Sequence, residues 1–152
     1  MSTTIITLLI LAAAILGGLA FYAGKLLLQL KVQQTEIKNK LNQRNSRLEE
    51  SIRTISQAMQ EEQCEVGEGA LRISVLLDHV SDATQAQYPK KYPSIHALND
   101  KIKHLAILEE RKKLPKKERM RQDFERMKAE AEYKDLVLAE AKKLSNFVAP
   151  RA

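Results

Sequence analysis

Residues 2–24 carry no charged side chain and are dominated by Ile, Leu and Ala. At ~1.5 Å of rise per residue, such a run extends roughly 34 Å as a helix, against a hydrocarbon core of about 30 Å. A secretory signal would need a basic stretch before a shorter apolar one. No Lys or Arg precedes Lys25, and the apolar run resumes beyond it as Leu26, Leu27 and Leu28. The expected element is therefore an uncleaved transmembrane helix over residues 1–28, in contact with the lipid bilayer through residues 2–28. Lys25 would lift its ammonium to the interface along its own stem. Ala13 and Gly17, Ala14 and Gly18, and Ala20 and Gly24 repeat at four-residue spacing, which would let two helices approach closely and makes a homodimer one open reading.

Lys25, Lys31, Lys38, Lys40, Arg44 and Arg47 follow the span closely, and no basic residue precedes it. Basic flanks stay in the cytoplasm, so the expectation is an N-terminus outside and a C-terminal domain inside. Cys64 is the single cysteine and suits a reducing compartment.

Past the span, Leu27, Leu30, Ile37, Leu41, Leu48, Ile52, Ile55 and Met59 recur at helical spacing with no Pro or later Gly among them until Gly67. They predict an amphipathic stalk helix over residues 29–63. It would pack on its own domain, lie exposed, or pair as a dimeric coiled coil with Gln34 and Asn45 weakening the seam. Gly67 and Gly69 read as a helix end and a turn. A helical cytoplasmic domain over residues 64–152 follows, with helices at about 69–80, 94–112 and 116–147. Pro93 and Pro115 suit first turns. In the last helix Met120, Phe124, Met127, Ala131, Leu138, Ala141 and Val148 form the stripe expected to be buried. Strand alternation and Asn-Gly or Asp-Gly turns are missing. The fold class expected is all-α: a transmembrane helix, an amphipathic stalk and a small helical bundle.

No chemistry is written at catalytic or metal-ligand spacing. His79, His96 and His104 are scattered, Cys64 stands beside Glu62 and Glu65, and Gly67 and Gly69 lack the third glycine and preceding strand of a nucleotide loop. No cofactor, metal or enzymatic activity is expected.

Charge is the remaining signal. Residues 111–121 hold seven basic side chains, Arg111, Lys112, Lys113, Lys116, Lys117, Arg119 and Arg121, against Glu118. That segment is the candidate interaction surface, and its field attracts acidic protein, anionic lipid or nucleic acid. Glu61, Glu62, Glu65 and Glu68 form a candidate acidic face along one side of a helix.

The stretches EGALRISVLLDHV, residues 68–80, and KKERMRQDFERMKAEAEYKDLVLAEAKKL, residues 116–144, resemble an uncharacterised bacterial family of short single-pass inner-membrane proteins, a domain of unknown function with a helical cytoplasmic part. The resemblance implies a bacterial inner-membrane address and transfers no catalytic or binding residue. The function expected is a non-enzymatic adaptor or scaffold that presents a charged helical domain to a cytoplasmic protein. The alternative is a membrane-tethered nucleic-acid or ribosome-binding protein acting through residues 111–121.

Overall fold

The computed structural model describes residues 3–106 and 108–151, all of them helix, turn or irregular chain with no strand. Ser2, the first position of the expected bilayer contact, lies outside them. The elements are α1 (Thr3–Gln60), α2 (Val66–Asp78), α3 (Ala83–Ala86), α4 (Tyr88–Lys91), α5 (Pro93–Ile102), α6 (Leu108–Lys113) and α7 (Lys116–Leu144). Two compact units divide the chain between Leu41 and Asn42.

The N-terminal unit is the first two-thirds of α1. Its apolar window is long and apolar enough to cross a membrane by length and composition, and none of that window is buried by protein. Large side chains from Ile5 to Leu30 stand exposed, Phe21 at 78%. No atom outside the helix's own local backbone approaches the positions where Gly17, Gly18 and Gly24 would carry a Cβ.

The second unit, residues 42–151, holds the core. Asn45, Ile52, Ser56 and Met59 of α1 are buried at helical spacing. With them lie Ala70, Ile73 and Leu77 of α2, Ile95, Leu98 and Ile102 of α5, and Val137, Ala141 and Leu144 of α7. Burying a Leu, Ile or Val side chain is worth about 1.5–3 kcal/mol, so this stripe of α1 is committed to the domain. Residues 42–60 of the expected stalk are thus domain core, and a coiled-coil seam through Ile52 and Met59 has no free face.

Several boundaries differ from the sequence reading. The turn after α1 is at residues 61–65, where Glu62 takes a φ of 57°. Gly67 and Gly69 sit inside the first turns of α2, both buried. They serve close approach instead of a chain break. A Cβ at Gly69 would meet Met59 Sδ at 2.2 Å, and one at Gly67 would meet Glu130 Oε1 at 2.1 Å. The expected helix over residues 94–112 is two helices. Leu105 turns into the core, and the Ala106 N–H donates to Gln122 Oε1 at 2.9 Å instead of to a carbonyl one turn back.

The largest correction concerns α7. Met120, Phe124 and Met127, expected inside, are 63%, 64% and 61% exposed. The buried face is Ala129, Val137, Glu140, Ala141 and Leu144. Of the expected stripe Ala141 is buried and Leu138 packs partly against the core, while Ala131 and Val148 are exposed like the three before them. Three of the five buried residues are small or charged, so the apolar pattern pointed largely to another side. After Leu144 the chain returns along α1. Phe147 packs edge-on against Tyr88 at 5.9 Å, and Arg53 Nε donates to the Phe147 carbonyl at 2.6 Å.

Candidate functional site

A groove of about 800 Å³ lies among α1, α2, α5, α6 and α7 of the second unit. Its walls include apolar side chains of Ile55, Leu71, Val75, Leu76 and Ile102, together with Arg72, Arg111 and Arg126 and with Glu65, Glu68 and Glu130. The local sequence explains the mixture. Helix α2 is apolar on more than one face, so after Ala70, Ile73 and Leu77 are spent on the core, Val75 remains 52% exposed and Leu71 and Leu76 are only partly covered. Such a surplus is what a partner's apolar side chains would cover.

Three of these six charged side chains are engaged in ion pairs. Arg72 pairs with Glu68 one turn back at 2.5 Å. Arg111 clasps Asp123 of α7 with two parallel bonds, Nε to Oδ1 at 2.9 Å and Nη2 to Oδ2 at 2.5 Å. That guanidinium holds the Asp123 carboxyl below the usual carboxylate range. Of the other three, Arg126 and Glu130 stand apart in their surroundings. Arg126 Nε is shielded from water and meets no acceptor among the described residues. Glu130 lies half-buried against the first turn of α2, and burial, followed by repulsion from Glu65, raises its pKa. The groove therefore holds a shielded guanidinium N–H and a carboxyl that resists ionisation, beside apolar surface.

Only part of the basic segment reaches this groove. Arg111 lines it, while Lys112 pairs with Glu109 at 2.6 Å and Arg121 pairs with Glu118 and Glu125 at 2.5 and 3.3 Å. The Arg121 pair, with a bond from Gln122, depresses the Glu118 pKa. Arg119 is half-buried, and Lys113, Lys116 and Lys117 are exposed with no ion pair among the described residues. The seven cations are thus a partly neutralised surface, not one continuous basic patch.

The acidic face is also divided. Glu61 and Glu62 lie in the turn after α1, where Glu61 accepts from Gln57 at 2.9 Å. Glu65 precedes α2 in extended conformation, and Glu68 lies in its first turn. The four do not share a helical face because the helix they were assigned to ends at Gln60. The structure instead places Glu65 and Glu68 in the same groove wall as Arg111, 46 and 43 positions away, a juxtaposition that sequence spacing hides. Arg126 and Glu130 of the groove were missed; their i, i+4 spacing on α7 was the available signal.

Histidines do not converge. His79 ends α2 with Nδ1 2.7 Å from the Val75 carbonyl oxygen, His96 sits in α5 with a shielded Nε2, and His104 is exposed. Cys64 is half-buried, and its thiol pKa is pushed up by burial and then by Glu68, the opposite of an activated nucleophile. No group of three His, Cys, Asp or Glu side chains able to hold a metal ion occurs among the described residues.

Comparison with known proteins gives a family and no activity. The sequence model described as "Protein of unknown function (DUF2489)" matches residues 16–144. A protein of Haemophilus influenzae, described as uncharacterized, is 37% identical over 124 residues, covering 82% of each chain. No solved structure matches the chain.

Proposed function

The chain belongs to the DUF2489 family, a bacterial family of unknown function, and we propose that it works as a non-enzymatic adaptor anchored in the inner membrane, with its groove receiving a segment of a cytoplasmic protein. One span would hold it, N-terminus outside and helical domain inside, as the lysines and arginines after residue 24 favour. The carrying observation is the exposed apolar side chain of Val75 with the partly covered Leu71 and Leu76 beside it, in a groove that Arg111 and Arg126 also line. A helix or extended peptide with apolar residues and a carboxylate directed at the arginine-lined wall would cover that surface. The groove contains no nucleophile oriented by a base, so binding, not turnover, is the chemistry its residues support.

Photo-crosslinking in living cells tests this reading, with a benzophenone side chain replacing Val75 or Arg111 in the full-length protein and nuclease added before separation. A discrete nuclease-resistant protein adduct that weakens with Arg126→Gln supports the adaptor. A nuclease-sensitive smear from position 111 would instead support the tether through residues 111–121. No adduct from either position would remove the groove from the proposal. Orientation is checked by protease, which should digest residues 42–151 in inside-out vesicles and spare them in intact spheroplasts.

A further inference from the structure

Helix α7 has two apolar faces, and the fold uses one. On the unused side Met120, Phe124 and Met127 follow one another at steps of four and three, all more than half exposed, and Ala131 continues the row, also exposed. At about 100° per residue these four fall within an arc of roughly 60°, turned about a third of a revolution from the face that buries Val137 and Leu144. Lysines border the row on both sides. Lys116 and Lys134 lie along one edge, Lys117 and Lys128 along the other, and all four are exposed. The carboxylates of this helix are largely directed elsewhere or neutralised. Glu125 and Glu132 take a third side and are paired with Arg121 and Lys101; Glu118 and Asp123 border the row, the first neutralised by Arg121 and the second held by Arg111, and Asp135 joins the other lysine edge.

We infer that this face of α7 docks on an anionic lipid surface. A ridge of Phe and Met between two rows of lysine is the arrangement a helix needs to lie in the headgroup region. The apolar residues enter the acyl boundary while lysine stems lie along them and the ammonium groups reach phosphates. The row covers about three turns, so insertion is shallow and depends on charge as well as on apolar area. A second copy of the chain fits the face poorly, because parallel and antiparallel pairings alike would set lysine rows against lysine rows. The groove is not involved, since its α7 residues, Arg126 and Glu130, lie off this arc.

The chain contains no tryptophan, so Phe124→Trp makes a single reporter at a site exposed enough to accept it. The full-length variant is reconstituted into vesicles of phosphatidylethanolamine and phosphatidylglycerol with brominated acyl chains, and separately into phosphatidylcholine with the same bromination. Docking predicts blue-shifted, bromine-quenched emission in the anionic vesicles and solvent-like emission in phosphatidylcholine. Lys117→Gln and Lys128→Gln should each lower the docked-to-free ratio roughly fivefold. A Leu136→Trp reporter, 58% exposed on another side of α7, should stay solvent-like throughout. Solvent-like, unquenched emission from position 124 in both vesicles would overturn the inference. So would a blue shift in detergent that disappears on dilution, which would mean a second copy, or one that appears without quenching only when cytoplasmic protein is added.

Discussion

Asn45 Nδ2 donates to the Pro150 carbonyl oxygen at 2.8 Å across 105 positions of sequence. The same nitrogen lies 2.7 Å from Ser81 Oγ, and Asn45 Oδ1 accepts the Ser81 N–H at 3.4 Å. One fully buried amide thus ties α1, the loop after α2 and the C-terminal segment. Its neighbours extend the tie: Glu49 Oε2 accepts from the Ala149 N–H and from Arg151. Replacing Asn45 with Ala leaves the Ser81 N–H and the Pro150 carbonyl without their partner. Each orphaned group costs about 1–3 kcal/mol, so Asn45→Ala should lower unfolding free energy by roughly 2–3 kcal/mol. Denaturant unfolding of the full chain in detergent checks it, and a loss below about 0.5 kcal/mol would remove Asn45 from this role.

Glu140 performs a second long-range task. Helix α5 starts at Pro93 with no capping side chain of its own. Its first free N–H groups, of Ser94 and Ile95, donate to Glu140 Oε1 and Oε2 at 3.0 and 2.9 Å. A carboxylate at a helix N-terminus also meets the positive end of the helix dipole. Glu140→Ala should cost about 2–4 kcal/mol, and Glu140→Gln, which keeps one acceptor, about 1 kcal/mol. Equal losses in the two variants would mean that packing, not capping, is what Glu140 supplies.

These two residues mark the limit of what was legible in the sequence. Periodicity found α1, α2, α5 and α7, because apolar spacing within one helix is a local property. Asn45 read as a weak point in a seam and Glu140 gave no signal, because their partners lie 36 to 105 and 45 to 46 positions away. The groove escaped for the same reason: it brings Glu65 and Glu68 near Arg111 and Arg126 only after α2 has packed on α7. On α7 the rule that the more apolar stripe goes inside failed. Ala129 and Ala141 let other helices approach closely, and small residues contribute little to an apolar pattern.

The two glycines of α2 should respond differently to alanine. Met59 is 2% exposed, so a methyl at Gly69 must force a buried side chain to repack, an overpacking cost of typically about 1–3 kcal/mol. Glu130 is half-buried and flexible, so a methyl at Gly67 displaces only its carboxyl tip. Gly67→Ala should therefore be the milder change in thermal unfolding, with the helix propensity of Ala offsetting part of its cost. The reverse order would show that Glu130 is held more firmly than Met59.

Glu130 also sets a pH dependence. Its folded pKa is raised, mainly by burial, so the folded state holds this proton more tightly than the unfolded chain does. The contribution to stability is full below the ordinary glutamate value and is lost as pH rises through the raised folded one. Glu130→Gln cannot ionise. The variant should gain midpoint relative to the parent as pH climbs through that window and keep the gain at neutral pH. A difference that does not change from pH 4 to pH 7 would mean that ionisation of Glu130 costs the fold nothing.

The two faces of α7 yield the clearest separation between folding and surface. Leu144 is fully buried, so Leu144→Ala should cost about 2–5 kcal/mol through lost transfer and a residual cavity. Phe124 is the larger and more apolar side chain, yet it is exposed in the folded chain, so folding recovers little from it. Phe124→Ser should change the unfolding midpoint by no more than about 0.5 kcal/mol equivalent. The comparison is made in detergent micelles at low protein concentration, which removes lipid and keeps copies apart. A Phe124→Ser loss approaching that of Leu144→Ala would place Phe124 inside the core after all and leave α7 with a single apolar face.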